Sequence, residues 1–246
     1  MLLLIDAGNT RIKWALAVPG SKPGDWIASG AVTHAELNHL PASWQAYPIS
    51  QAVVANVAGS KLRDQLQLMI PTKQIEWFAS RIEQDGMRNA YRQPAQLGCD
   101  RFAAALGARA LEPNQRLIVA TCGTATTVDA LCADSVFLGG MILPGLGLMA
   151  ASLARNTAQL PQVLAGRSLP AGFADNTDDA ILSGCLAAQV GAIERACALH
   201  QATLCVISGG AAPYIAPLLN VAHRMVDNIV LTGLHSTVRS PAPTSE

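Results

Sequence analysis

The sequence predicts an α/β protein built as two similar lobes, and three observations carry that reading. Short apolar runs alternate with amphipathic or Ala-rich segments along all 246 residues. Half of the residues are hydrophobic and only 14% are charged, which supplies sizeable cores and argues against global disorder. One pattern also occurs twice. Leu4-Ile5-Asp6-Ala7-Gly8 lies over Val119-Ala120-Thr121-Cys122-Gly123, and Ala15-Leu16 lies over Ala130-Leu131. Each is an apolar strand, a Gly/Thr turn and a second strand. This assigns residues 1–114 to a first lobe, 115–239 to a second, and 240–246 to a disordered tail. Two such lobes would set their turns facing each other across a cleft.

Met1 to Ile5 is an unbroken apolar run, the mark of a strand buried on both faces, and Asp6 is expected to end it. Ala7 to Thr10 form a polar turn, and from Arg11 the residues alternate as a second strand, completing a β-hairpin. Further strands are expected at 26–32, 52–57 and 75–78. Helices are expected at 34–40, ending before Pro41, and at 61–69. Residues 80–97 read as polar and irregular. The Ala-rich run after Asp100 reads as a helix with that aspartate at or near its N-cap, closed by Glu112-Pro113-Asn114.

A strand at 117–121, a Gly/Thr turn and a second strand that includes Ala130-Leu131 start the second lobe, followed by a strand at 137–143. Ser135 to Ala154 is twenty residues without a charge, but Gly139, Gly140, Pro144, Gly145 and Gly147 break it. It is therefore a strand, a loop and the start of a helix rather than a membrane span. Residues 180–199 form a long helix whose Gly184 and Gly191 admit a close neighbour, in a dimer seam or inside the chain. A strand at 203–208 runs into Gly209-Gly210. Residues 224–231 are expected to be the last strand, before a short helix to about Arg239.

The formal net charge is zero, which indicates neither nucleic acid nor membrane as the main partner. The six cysteines (99, 122, 132, 185, 197 and 205) form no C-x-x-C pair and do not cluster with the five histidines. They read as reduced thiols of a cytoplasmic protein, not a disulfide framework or zinc site. No secretory signal is recognised in the N-terminal run.

The chain has no P-loop, no dinucleotide G-x-G-x-x-G and no G-x-S-x-G elbow. Three Gly-rich turns at strand ends remain, at 6–10, 121–127 and 208–211, with isolated acids at Asp6 and Asp100. Phosphoryl transfer needs such parts: donors around phosphates, a metal-binding carboxylate, and an acid beside the attacking hydroxyl. Residues 6–10 alone also fit an ordinary hairpin turn.

Asp6-Ala-Gly-Asn-Thr10, Gly98-Cys-Asp-Arg101, Gly123-Thr-Ala-Thr-Thr-Val-Asp129 and Ser208-Gly-Gly210, in this order, resemble type III pantothenate kinases, and Tyr91-Arg-Gln-Pro94 adds to the match. The resemblance spans residues 1–235. It implies two ribonuclease-H-like lobes of the actin and sugar-kinase type, with ATP-dependent phosphorylation of pantothenate towards coenzyme A. It implies that Asp6, Ala7, Gly8, Asn9, Thr10, Arg11, Ile12 and Lys13 hold the ATP phosphates, with Asp6 nearest Mg²⁺. Thr124, Gly209 and Gly210 would meet the nucleotide. Asp100 would accept the proton of the attacking hydroxyl, late, as a loose transition state permits. Tyr91, Gly98, Cys99, Arg101 and Thr177 would join Asp100 around pantothenate. Asp100 and Thr177 also suit helix N-termini, a role that can coexist with a site. Family members often carry Asp at the position of Thr121, where it helps hold K⁺ or NH₄⁺. Thr121 leaves that cation with an uncharged oxygen, with Asp129 as a possible substitute or a purely structural acid. A homodimer is expected. The rival readings are a small-molecule kinase with another substrate, or a nucleotide-binding accessory protein of the same fold.

Overall fold

The computed structural model describes residues 1–156 and 172–238; the tail expected at 240–246 lies outside them. The chain divides into two compact units. The first holds Met1–Asn114, Ser135–Phe137 and the stretch from Asn228 on; the second holds Gln115–Asp134 and Leu138–Asp227.

In the first unit, β1 (Leu2–Ala7), β2 (Arg11–Ala17), β3 (Ala28–Thr33), β4 (Gln51–Asn56) and β5 (Ile75–Phe78) form one sheet in the order β3-β2-β1-β4-β5. β1 runs antiparallel to β2 and parallel to β4. Every residue of β1 is buried. One face packs on Leu62 and Leu66 of α2 (Ser60–Met69) and on Trp14 and Trp44, which meet edge to face. Asp6 does not end the strand; it stays in register between Lys13 and Ala55, because backbone pairing on both sides outweighs a polar side chain. The expected helix at 34–40 is a 3-10 segment, His34–His39, followed by α1 (Leu40–Trp44). Pro41 sits in that helix's first turn, where its missing N–H costs nothing.

Residues 80–97 are not all irregular. β6 (Glu83–Gln84) and β7 (Met87–Asn89) form a hairpin whose tip residues, Asp85 and Gly86, both have positive φ. The chain then enters α3 (Cys99–Leu111).

The second unit repeats the plan of the first. β8 (Leu117–Cys122), β9 (Ala125–Leu131), β10 (Val136–Pro144), β11 (Leu204–Ser208) and β12 (His223–Met225) run in the order β10-β9-β8-β11-β12. β8 is antiparallel to β9 and parallel to β11, as β1 is to β2 and β4. The second strand is shifted by one relative to the expected overlay. Asp6 pairs with Lys13 and Thr121 with Thr127, so the shifts are 121 − 6 = 115 and 127 − 13 = 114. The second turn is one residue shorter, closed by Gly123 N–H donating to the Ala125 carbonyl, against Gly8 to Arg11 in the first.

α4 (Leu146–Asn156), α5 (Thr177–His200) and the short α6 (Ala212–Ile215) cover one face of this sheet, around Ile118, Ala120, Cys122, Cys205 and Ile207. α5 is N-capped by Asn176, whose side chain accepts from the Asp179 N–H. Cβ atoms built at Gly184 and Gly191 would meet nothing within 4 Å among the described residues.

The strand expected over 224–231 ends at Met225, and Ile229–Ser236 is a helix, α7. It belongs to the first unit rather than, as the sequence division had it, the second. The reason is packing. α7 crosses α3 with almost no side chain between them: a Cβ at Gly107 would stand 2.8 Å from the Gly233 nitrogen, and one at Gly233 would strike the Ala103 carbonyl. Every residue from Ile229 to His235 is buried there.

Candidate functional site

In the first unit, the β1–β2 turn and the start of α3 bring two carboxylates together. Asp6 lies one residue before the end of β1 with its side chain 12% exposed, and Lys13 Nζ stands 3.9 Å from its Oδ2. Burial pushes the Asp6 carboxyl up to about 6; Lys13 lowers it and the nearby charge of Asp100 raises it. Its neighbours Ala7 and Ile12 turn their side chains into the core, so at those positions only the backbone is available to a ligand. Asn9, Thr10 and Arg11 are exposed.

Asp100 is not the N-cap of α3. That place belongs to Gly98, and Asp100 lies in the first turn, its Oδ1 accepting from the Arg101 N–H at 2.8 Å. A Cβ on Gly98 would stand 2.6 Å from that same oxygen, so the glycine leaves room for the carboxylate. Cys99 donates from Sγ to the Asn56 carbonyl. Burial, then the charge of Asp100, pushes its thiol up to about 11, so it stays protonated.

Arg101 is 7% exposed and donates from Nη1 to the Tyr91 hydroxyl at 2.8 Å. Its guanidinium lies 5.6 Å from the centre of the Tyr91 ring and 6.0 Å from that of Phe137. Tyr91 and Phe137 are themselves in contact, and Phe137 meets Phe102 edge to face. These residues form a charged and aromatic wall a few residues from Asp100.

The second unit holds the other turns. Thr121 lies one residue before the end of β8, in register with Ser208 on one side and Thr127 on the other. The hydroxyls of Thr121 and Thr127 are buried without a hydrogen-bond partner. The Thr124 carbonyl accepts from Gly145 N–H. Gly209 has φ +101°, and a Cβ there would strike the Cys122 carbonyl, whereas Gly210 is open. That carbonyl accepts from the Ala211 N–H, which fixes the turn after β11. Thr177 is the first helical residue of α5 and is exposed, and no described contact joins it to the other predicted site residues.

These turns match known proteins throughout the chain. A family model of type III pantothenate kinase matches residues 2–199. A type III pantothenate kinase of Janthinobacterium sp. (strain Marseille) is 54% identical, over 99% of this chain and all of that one. One of Herminiimonas arsenicoxydans is 53% identical at the same coverage.

The chain belongs to the type III pantothenate kinase family. Among solved structures, a protein of Campylobacter jejuni, described as a candidate Baf family transcriptional activator, superposes with a TM-score of 0.65 at 20% identity, covering 96% of each chain. A ROK family glucokinase of Streptomyces griseus, in complex with glucose and AMPPNP, gives 0.51 at 13% identity, covering 98% of this chain and 99% of that one. These likenesses show the fold: the two-lobed actin and sugar-kinase type that the motifs implied.

Three partners of the pantothenate kinase motifs were not predicted. His34 Nε2 lies 2.9 Å from the Gly8 carbonyl and, as the N–H tautomer, donates to it. Counting the β2–β3 register would have found it, since Thr33 pairs with Arg11 beside the turn. Asn56 joins through its long-range contact with Cys99, and Asn89 through side-chain bonds to Tyr91 and Pro94 in its own loop.

Proposed function

We propose that this chain transfers the γ-phosphoryl group of ATP to pantothenate, the first step towards coenzyme A, with Asp6 and Asp100 as the working carboxylates. The observation that carries the assignment is their convergence. Residues 94 positions apart in sequence approach closely enough for the charge of Asp100 to raise the proton affinity of Asp6. Two acids beside an open glycine turn, with family membership over the full length, favour a kinase over a binding protein that has lost its chemistry.

The roles follow from geometry. The exposed Asn9-Thr10 turn and the side chains of Arg11 and Lys13 serve the ATP phosphates, and Gly8 keeps the turn tight by donating its own N–H to the Arg11 carbonyl. Asp6 suits Mg²⁺: a buried carboxylate near a strand end, with no cluster of three ligating side chains among the described residues, fits a metal bound by one or two carboxylates and the nucleotide's own phosphates. When bound, the metal supplies charge neutralisation between the phosphates. Asp100 orients the pantothenate hydroxyl and accepts its proton as the bond to phosphorus forms. Arg101, held by Tyr91, offers a fixed guanidinium to the pantothenate carboxylate or amide. Thr124, Gly209 and Gly210 serve the nucleotide from the second unit. Thr177, exposed at a helix start, is the pantothenate contact with the least support.

A monovalent cation at Thr121 would find two unpartnered hydroxyls, Thr121 and Thr127, but no carboxylate on either of those residues. Asp129, buried two residues beyond Thr127 on the same strand face, is the nearest acid in the hairpin. We propose that any K⁺ or NH₄⁺ effect is weak here. We further propose a cytoplasmic homodimer. Gly184 and Gly191 of α5, where an added Cβ meets nothing among the described residues, and the exposed Leu138, Met141, Ile142 and Leu199 give a second copy an apolar surface to cover. ADP release by the purified protein with ATP and Mg²⁺, with and without pantothenate, in K⁺, NH₄⁺ and Na⁺ buffers, tests the reading. Release that ignores pantothenate refutes it.

A further inference from the structure

The loop between β7 and α3 carries Tyr91, and its shape depends on one buried side chain that no motif includes. Asn89 is 4% exposed. Its backbone is fixed by the sheet: it pairs in register with Phe137, and its N–H donates to the Ile82 carbonyl at 2.9 Å. Its side chain then turns inward along its own loop. Oδ1 accepts from the Tyr91 N–H at 3.0 Å, an Asx-turn, and Nδ2 donates to the Pro94 carbonyl at 3.2 Å. The Pro94 carbonyl also accepts from the Leu97 N–H, one residue before the Gly98 cap of α3. Between these bonds the Ala90 N–H donates to the Phe137 carbonyl.

The consequence is a fixed path from a rigid strand to both ends of the recognition pair. Asn89 sets the Tyr91 backbone directly, and through Pro94 it ties the turn that leads into Asp100 and Arg101. Tyr91 in turn receives the Arg101 guanidinium on its hydroxyl and lies against Phe137. A mobile guanidinium on a long stem would lose much of its value in freezing on the ligand; a preset one does not.

We propose that Asn89 is a positioning residue for pantothenate, acting through the Tyr91–Arg101 pair. The proposal rests on the reading of that pair as the pantothenate contact. It needs neither ATP nor Mg²⁺ to be affected. Removing both side-chain bonds with Asn89→Ala is expected to raise the pantothenate KM about tenfold, the size of one net hydrogen bond. The ATP KM should stay unchanged and kcat should change less than about threefold, because the interaction is not made only in the transition state.

The test is steady-state kinetics on the intact enzyme for wild type, Asn89→Ala, Tyr91→Phe, Arg101→Lys and the Asn89→Ala/Tyr91→Phe double variant. In the Tyr91→Phe background the alanine effect should shrink below about threefold, the coupling expected of residues acting in series. Asn89→Ser keeps an oxygen for the Tyr91 N–H and is expected to raise KM by about threefold, a measurable effect if the alanine variant fails to fold. A full tenfold effect in the double variant overturns the proposal, as does an equal rise in the ATP KM. If Tyr91→Phe raises the pantothenate KM and Asn89→Ala does not, the positioning role falls and the pair stands. If neither Tyr91→Phe nor Arg101→Lys moves that KM, the site reading itself falls.

Discussion

Replacing Asp6 with asparagine should remove the metal carboxylate and, at neutral and alkaline pH, make the protein more stable. The magnitude follows from the carboxyl's position. Its affinity for a proton moves from the ordinary value of 3.8 to about 6, first because burial strips water from the charge and despite Lys13 at 3.9 Å. A group raised in this way favours the folded state fully below the unfolded value and loses that contribution as pH rises through about 6. At about 1.4 kcal/mol for each tenfold change in proton affinity, carrying the ionised Asp6 costs on the order of 3 kcal/mol at pH 8. Asparagine has nearly the same shape and no charge to desolvate. Loss of the Lys13 attraction reduces the gain, so about 2 kcal/mol is expected, or roughly 4–8 °C in Tm for a chain of this length. Thermal or urea unfolding of the nucleotide-free proteins at pH 8 and pH 4 checks it: the gain should appear at pH 8 and fall well below about 1 kcal/mol at pH 4. An Asp6→Asn variant no more stable than wild type at pH 8 would refute the reasoning and make the Asp6–Lys13 pair a net stabiliser. Turnover should be lost in either case, the trade expected where function places a charge against stability.

Three further outcomes follow. Asp100→Asn should lower kcat by about a hundredfold or more while ATP still binds, read by single-turnover kinetics and nucleotide titration. Gly209→Ala, forced to φ +101° against the Cys122 carbonyl, should lower stability by about 2 kcal/mol and weaken ATP more than pantothenate; calorimetry on the folded variant separates the two. Thr121→Asp should increase stimulation by K⁺ over Na⁺, and an unchanged salt response would count against a cation site at that turn.

Much of the fold was legible because its signals are local. The β1 apolar run, the alternation from Arg11 and the doubled strand-turn-strand pattern all survive in the two matching strand orders. The misread parts are those where tertiary packing overrides propensity. Ile229, Val230 and Thr232 are β-branched, yet they are helical, because two glycines let α7 lie directly on α3. Pro41 looked like a helix end and instead starts one.

The site divides in the same way. The glycine turns and both acids were visible as residue types at strand and helix ends. Their convergence was not, since it depends on how α3 approaches β1. Asp100 lies near the N-cap of α3, as expected, in the first turn rather than at the cap itself, because a helix first turn and a helix cap suit the same residue type. Asn89 was missed because its side-chain bonds run to a backbone N–H and a carbonyl of its own loop, and His34 because it shows only once the β2–β3 register is counted to the turn.

The most direct measurement is the product itself. Wild type and Asp100→Asn, each shown to bind ATP, are incubated with ATP, Mg²⁺ and pantothenate, and the reaction is followed by ³¹P NMR. The account predicts a new phosphomonoester signal on pantothenate in step with ADP for wild type, and neither for the variant. Phosphopantothenate formed by Asp100→Asn at the wild-type rate, or ADP formed by wild type without it, would contradict the account.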